Sequence, residues 1–333
     1  MPRVFSGIKP TGELHLGNLL GALRGWVTDQ HTHDSFHCVV DLHALTVPHD
    51  PEELRDRTLG LTQLLLAVGL DPDVCTLFVQ SHVHEHPELA WLLECTASFG
   101  ELRRMTQFKD QLAKAENQAT PDFVSAGLFT YPALMASDIL LYDTDRVPVG
   151  DDQRQHLELT RDVATRFNHR YETTFVIPEA AIPTVGARVM DLQEPTSKMS
   201  KSEDSPQGTI LVLDDPDVVV AKIKRAVTDA DNEVRYDPEA KPGVSNLLSM
   251  LGAATDRAPT DVAEEYTQYG PLKAATADAV VAVLEPIRSR HRDLEADPAH
   301  TMAVLDRGAA KAQVVAAEVL ARAQNAVGLL ARP

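Results

Sequence analysis

The chain has 333 residues, 44% of them hydrophobic and 24% charged, ordinary values for a folded protein with room for two domains, or for one large α/β domain with an appended bundle. Three scattered cysteines, Cys38, Cys75 and Cys95, are too few for a disulfide framework or an all-cysteine metal site. A formal charge of −18 argues against non-specific nucleic-acid binding, while leaving room for a local basic strip.

The N-terminus is expected to enter a strand directly, without a targeting extension, and the sequence contains no long apolar span. A cytoplasmic protein without membrane contact is therefore expected. Strand-like runs at Arg3–Ser6, Phe36–Asp41, Thr76–Gln80 and near Val147–Val149 alternate with helical patterns at about Leu16–Gln30, Pro51–Val68 and Glu88–Phe99. Another helix is expected from near Asp151 to about Arg170. Asp50 and Pro51 are good start signals for the second of these helices, and Gly69 and Pro72 mark its stop. The alternation implies an α/β, Rossmann-like, doubly wound parallel sheet with ligands at the carboxyl ends of the strands. Beyond Thr209–Leu213 the pattern turns helical, through Asp217–Val227, Val244–Gly252, Pro259–Tyr269, Lys273–Glu295 and Thr301–Leu330. A division is expected between a Rossmann-like domain at 1–208 and a helical domain at 209–333.

Two motifs carry chemistry. The first, His15-Leu16-Gly17-Asn18, opens a helix after the first strand. Gly12 and Gly17 have the spacing of a phosphate-binding P-loop, but Asn18 stands where that motif needs lysine, and G-x-G-x-x-G is absent. His15 and Asn18, three apart, share one face of the first turn, where helix N-terminal amides attract phosphate. The plainer alternative is an N-cap histidine and a turn. The second motif, Lys198-Met199-Ser200-Lys201-Ser202, puts two ammonium groups on one loop, suited to closing on a polyphosphate. K-x-x-K on a surface loop is common, but here it follows an α/β domain that already offers a phosphate site.

Asp138 sits among Leu134, Met135, Ile139, Leu140 and Leu141, so its carboxylate needs a partner, a ligand donor or local backbone amides. His82, His84 and His86 lack H-E-x-x-H spacing, and Pro87 interrupts the helical face; they are expected to be an exposed, functionless group. No zinc or iron–sulfur site is expected. The basic groups Arg103, Arg104 and Lys109, then Lys222, Lys224 and Arg225, then Arg288, Arg290 and Arg292 are nucleic-acid candidates or simply solvated helix faces.

The two motifs resemble the signatures of class I aminoacyl-tRNA synthetases, and the surrounding text is similar to the bacterial tryptophanyl-tRNA synthetases. Matching stretches include Gly100–Lys109, Gly127–Tyr142, Val147–Leu159, Gly186–Ser202, Lys222–Asp229 and Lys241–Leu248, and run nearly end to end. The resemblance implies activation of tryptophan by ATP carried with Mg²⁺, transfer to tRNA(Trp), and a homodimer. It implies an indole pocket lined by Phe5, Gly7, Val40, Met135 and Val149, with Asp138 accepting the indole N–H. Tyr131 and Gln153 would hold the α-ammonium, with His43 near the carboxylate or activated phosphate. ATP would lie along Lys9, Pro10, Thr11, Gly17, Asn18, Gly150, Asp152, Met190, Lys198, Met199, Ser200 and Lys201. His15, Asn18, Lys198 and Lys201 would carry the catalytic charge stabilisation. Met199 is read either as an adenine contact or as core filler. The helical domain would read the anticodon, with Lys222, Lys224 and Arg225 as candidate phosphate contacts.

Two departures stand out. Lys9 replaces an expected glutamine near the cleft, which predicts altered discrimination among tryptophan analogues. Gln111 replaces a second lysine of the family, with Lys114 a candidate substitute, and Lys114–Val124 is longer than in close relatives. Two alternatives stay open: a tyrosyl-tRNA synthetase, or a regulatory paralogue that binds tryptophan or ATP without charging tRNA.

Overall fold

The computed structural model describes the chain except residues 117–123, 149, 151–152, 182–187, 201–205 and 332–333, and gives backbone alone for Gln111 and residues 113–116. Among the described residues, β1 (Arg3–Ile8), β2 (Asp34–Val39), β3 (Thr76–Val79), β4 (Arg146–Pro148) and β5 (Glu179–Ala181) form one sheet in the order β3-β2-β1-β4-β5. Every pairing is parallel, with Phe5 opposite Phe36 and Phe36 opposite Thr76. β2 and β3 are buried along nearly their whole length, as a parallel sheet covered on both faces requires. β1 lies between β2 and β4, so the crevice outside its carboxyl end is the topological switch point.

The helix after β1 is not regular. It begins as α1 (Leu16–Asn18), widens into a π turn at Leu19–Leu23 and continues as α2 (Arg24–Asp29). Such widenings concentrate at functional sites. α3 (Pro51–Val68) has the expected bounds because Asp50 caps the amides of Glu52 and Glu53, and Gly69 ends it at φ 124°. The helix expected at Glu88–Phe99 is instead α4 (Glu85–Glu94), with a separate α5 (Phe99–Arg104) started by a Ser98–Glu101 capping box. α6 (Thr106–Glu116), α7 (Ala126–Leu140) and α8 (Arg154–Arg170) complete the first part.

The helical part comprises α9 (Pro216–Lys224), α10 (Pro242–Thr255), α11 (Pro259–Ala263), α12 (Tyr269–Ala296) and α13 (Pro298–Ala326). Its longest helices lie directly on the α/β layers, α12 against α3, and α13 against β3 and α4. One apolar cluster joins Leu16, Leu23 and Leu65 to Leu247, Leu248 and Val280, and the other joins Phe36, Phe78 and Tyr142 to Ala312, Ala316 and Val319. α13 comes so close to β3 that a Cβ at Gly308 would lie 1.8 Å from the Leu77 carbonyl oxygen. Among the described residues, no helix is long and apolar enough to cross a membrane.

Candidate active site

The strand ends collect the chemistry. Gly7 is the penultimate residue of β1 and Lys9 follows the strand, His43 comes after β2, Gln80 after β3 and Gly150 after β4. His15 is the N-cap of α1: its Nδ1 accepts the Asn18 amide at 3.3 Å, and Asn18 Oδ1 accepts the His15 amide at 3.1 Å. The cap alternative describes this geometry, and a helix N-terminus capped in this way is compatible with an anion at the same turn. With Nδ1 accepting, a neutral His15 ring carries its proton on Nε2, and Asn18 offers its Nδ2 amino group. A Cβ at Gly17 would lie 3.0 Å from His15 Nδ1, so glycine is what lets the ring sit over the turn.

Backbone bonds tie this turn to the chain beyond the lysine loop, Leu16 N–H to Ile210 O at 2.8 Å and Val212 N–H to Leu14 O at 2.9 Å. The loop leaves that frame through a bridge between Met190 and Lys198, with the Met199 amide donating to Val189 O at 3.1 Å. Asn246 of α10 holds its base, accepting from the Met190 amide and donating to the Met190 carbonyl, both at 2.9 Å. Lys198 and Ser200 are exposed, as a closing loop needs. Of the two readings of Met199, the structure favours core filler: its side chain is 1% exposed inside the cluster of Leu14, Leu16 and Val189, where it anchors the loop. Lys201, Val149 and Asp152 lie outside the described residues, as do the side chains of Gln111 and Lys114.

Asp138 is 2% exposed on α7. Gln80 Nε2 and His86 Nδ1 both donate to its Oδ1 at 2.6 Å, and His43 Nε2 donates to Oδ2 at 2.8 Å. Burial pushes the Asp138 pKa up, but the hydrogen bonds from His43 and His86 outweigh it and hold the carboxyl below its ordinary value. Oδ1 is filled by two donors and Oδ2 by one, leaving one acceptor position for a ligand. Phe5 and Val40 are buried in one apolar cluster with Tyr142, which stacks on Phe5 at 5.5 Å, and the half-buried Met135 packs against that cluster.

The expected exposed histidine group is corrected here. His82 and His84 are exposed, but His86 is wholly buried, because Pro87 falls in the first turn of α4, where proline is tolerated, and the helix turns His86 inward. His43 likewise stands against Asp138, at the ring end of the cleft. Tyr131 donates to Gln107 Oε1 at 2.7 Å and accepts from His156 Nε2 at 2.5 Å, and burial pushes its phenol up to about 12. Gln153 is the half-buried N-cap residue of α8, its amide donating to the carbonyl of the exposed Gly150 at 3.0 Å. Lys9 is half-buried, which lowers its pKa, and Pro10 and Thr11 continue the turn from it.

Of the basic trio, Lys222 is committed: its Nζ donates to Asp214 Oδ2 and Thr209 O, both at 2.7 Å. That corrects its expected role as a free phosphate contact, while Lys224 and Arg225 are exposed. Gln80, His86, Tyr142, Gln107 and His156 belong to the site without having been expected there. Of these, Gln80 alone carried a signal, a polar residue immediately after the buried strand β3; the others lie in or beside helices and carried none. Among the described residues, no group of three or more His, Cys, Asp or Glu is placed to hold a metal ion.

Residues 1–285 match the family model described as tRNA synthetases class I (W and Y). The chain is 54% identical over 331 residues to tryptophan–tRNA ligase 1 of Streptomyces coelicolor, covering 99% of this chain and 98% of the relative. The structure is similar to the tryptophanyl-tRNA synthetase of Mycoplasma pneumoniae, with TM-score 0.91, 37% identity, and 99% and 98% of the two chains covered. It is also similar to the Campylobacter jejuni synthetase complexed with ADP and tryptophan, with TM-score 0.82, 33% identity, and 98% and 100% covered.

Proposed function

The chain belongs to the class I tRNA synthetases of the tryptophan and tyrosine group, and from that membership we propose that it joins tryptophan to tRNA(Trp) in the cytoplasm. The observation that carries the amino-acid choice is Asp138: a buried, ionised carboxylate with one acceptor position left suits a ring N–H. Phenylalanine brings no donor to that position and leaves it unsatisfied, which rejects it strongly.

The first step needs no side-chain nucleophile, because the tryptophan carboxylate is already ionised at neutral pH. One carboxylate oxygen attacks the α-phosphorus of ATP, and the bond to the β-phosphate oxygen breaks, releasing pyrophosphate. Catalysis is positioning plus charge stabilisation. His15 Nε2–H and Asn18 Nδ2–H donate to phosphate oxygens, and Lys198 and Lys201 close over them. Mg²⁺, carried in with ATP as part of the substrate, would supply charge neutralisation, while His15 and Asn18 contribute donors to the phosphate oxygens and not to the ion. Tyr131 and Gln153 orient the α-ammonium. In the second step the terminal ribose 2′-hydroxyl of the tRNA attacks the adenylate carbonyl carbon and AMP departs. Residues 1–208 act as the catalytic domain and 209–333 as the anticodon-binding domain, with Lys224 and Arg225 meeting phosphate, in a homodimer that one tRNA bridges.

The experiment is amino-acid-dependent ATP–pyrophosphate exchange on purified protein. Tryptophan is expected to support exchange and tyrosine is not; tyrosine-dependent exchange would select the tyrosyl alternative.

A further inference from the structure

His86 of α4 is wholly buried, with its ring against Phe78 of β3 and hydrogen-bonded to Asp138 of α7. Its two ring nitrogens are both used. Nδ1 meets Asp138 Oδ1 at 2.6 Å and Nε2 meets the Tyr142 hydroxyl at 2.7 Å. An ionised carboxylate only accepts, so Nδ1 must carry the proton, and in the neutral ring Nε2 accepts the Tyr142 O–H. The directions form one chain, Tyr142 to His86 to Asp138. Tyr142 has no freedom to turn away, since it is packed between Phe5, Phe36 and Phe78 with ring centroids 5.5, 4.7 and 5.6 Å away. Ser137 Oγ also donates to the His86 carbonyl at 2.7 Å, tying the two helices at the same level.

We propose that His86 is a positioning residue for amino-acid selection: with Gln80 it saturates Asp138 Oδ1, so that Oδ2 presents its single remaining lone pair to the ring N–H. This rests on the reading that Asp138 accepts that N–H. Without the Nδ1 donor, Oδ1 has an open acceptor position, and the carboxylate is free to rotate or to recruit water. The pocket then loses the geometry that makes the N–H obligatory, while the nucleotide end, built on His15 and the lysine loop, is untouched.

The test compares tryptophan with its sulfur analogue, 3-benzothienylalanine, which keeps the ring shape and lacks the N–H. The readout is exchange kinetics for wild type, His86→Leu, His86→Asn and Asp138→Asn. His86→Leu is expected to raise the tryptophan KM at least ~10-fold, leave the ATP KM within about twofold, and narrow the tryptophan preference about tenfold. His86→Asn, whose Nδ2 reproduces the Nδ1 donor, is expected to recover most of that preference. An equal loss on both substrates with the preference intact would overturn the proposal. If His86→Leu does not fold, Tyr142→Phe replaces it; it removes only the far end of the chain, and an unchanged preference there counts against the proposal. If Asp138→Asn leaves the preference intact, the reading of Asp138 itself fails. If Asp138→Asn abolishes the preference and His86→Leu does not, only the role of His86 fails.

Discussion

Replacing Asp138 by asparagine changes one oxygen into an amino group and alters almost nothing in shape. The Oδ1 side receives two donors, Gln80 and His86, so the amide oxygen settles there and the new amino group faces Oδ2 territory. His43 occupies that side at 2.8 Å, and a neutral imidazole adapts by moving its proton to the other ring nitrogen. The indole N–H has no such option and meets a donor. A hydrogen bond to a charged acceptor is worth about 1.5–3 kcal/mol, and a buried donor left unpaired costs a further ~1–3 kcal/mol. A combined loss of about 3–4 kcal/mol corresponds to between ~10² and ~10³ in kcat/KM for tryptophan. Exchange kinetics provide the assay, with circular dichroism to verify that the variant is folded. Wild-type kcat/KM within about fivefold would refute the assignment of Asp138 as the N–H acceptor.

Other outcomes follow from the same geometry. Gly17→Ala places a Cβ 3.0 Å from His15 Nδ1, and is expected to raise the ATP KM about tenfold with little change in Tm; an unchanged KM contradicts the role of the His15 ring. Asn246→Ala strips both partners from the Met190 backbone, at about 1 kcal/mol for each bond. Faster amide exchange at Met190 and a higher ATP KM with the tryptophan KM unmoved are expected; unaltered exchange contradicts the anchor. His37 is buried beneath Trp26, 4.9 Å between ring centroids, with neither ring nitrogen hydrogen-bonded, and burial pushes its pKa down to about 3. The unfolded chain takes up this proton below about pH 6.5 and the native state refuses it until about pH 3, so stability is full above 6.5 and falls as pH drops. Between pH 7 and 5 wild type is expected to lose about 2 kcal/mol more than His37→Phe in urea melts; parallel losses contradict this.

What was legible in the sequence was whatever local chemistry determines. α3 was readable because its cap, its proline and its terminal glycine all lie within the segment. The parallel sheet was readable from alternation, whereas β5 was missed because Glu179–Ala181 is three residues long and not buried. The phosphate turn could be placed from four consecutive residues. His86 was misread because its meaning depends on Asp138 and Tyr142, more than fifty residues further along, and no spacing within His82–His86 reveals them. Lys222 and Met199 were undecidable for the same reason: a lysine beside basic neighbours reads as a phosphate contact or a solvated face until Asp214 and Thr209 O close on it, and the choice between adenine contact and core filler waits until Leu14 and Val189 cover the methionine. Motif reading pointed to residues that the fold brings to the strand ends, but the tertiary contacts decide which of them are buried or already bonded.

The most direct test is charging itself. Purified protein is incubated with ATP, Mg²⁺, tRNA(Trp) and either tryptophan or tyrosine, and aminoacylated tRNA is resolved on acid gels. The account predicts tryptophanyl-tRNA(Trp), formed only with tryptophan and lost with Asp138→Asn at sub-saturating tryptophan. Tryptophan-dependent pyrophosphate exchange with no aminoacylated tRNA would contradict it and identify a protein that activates tryptophan without charging.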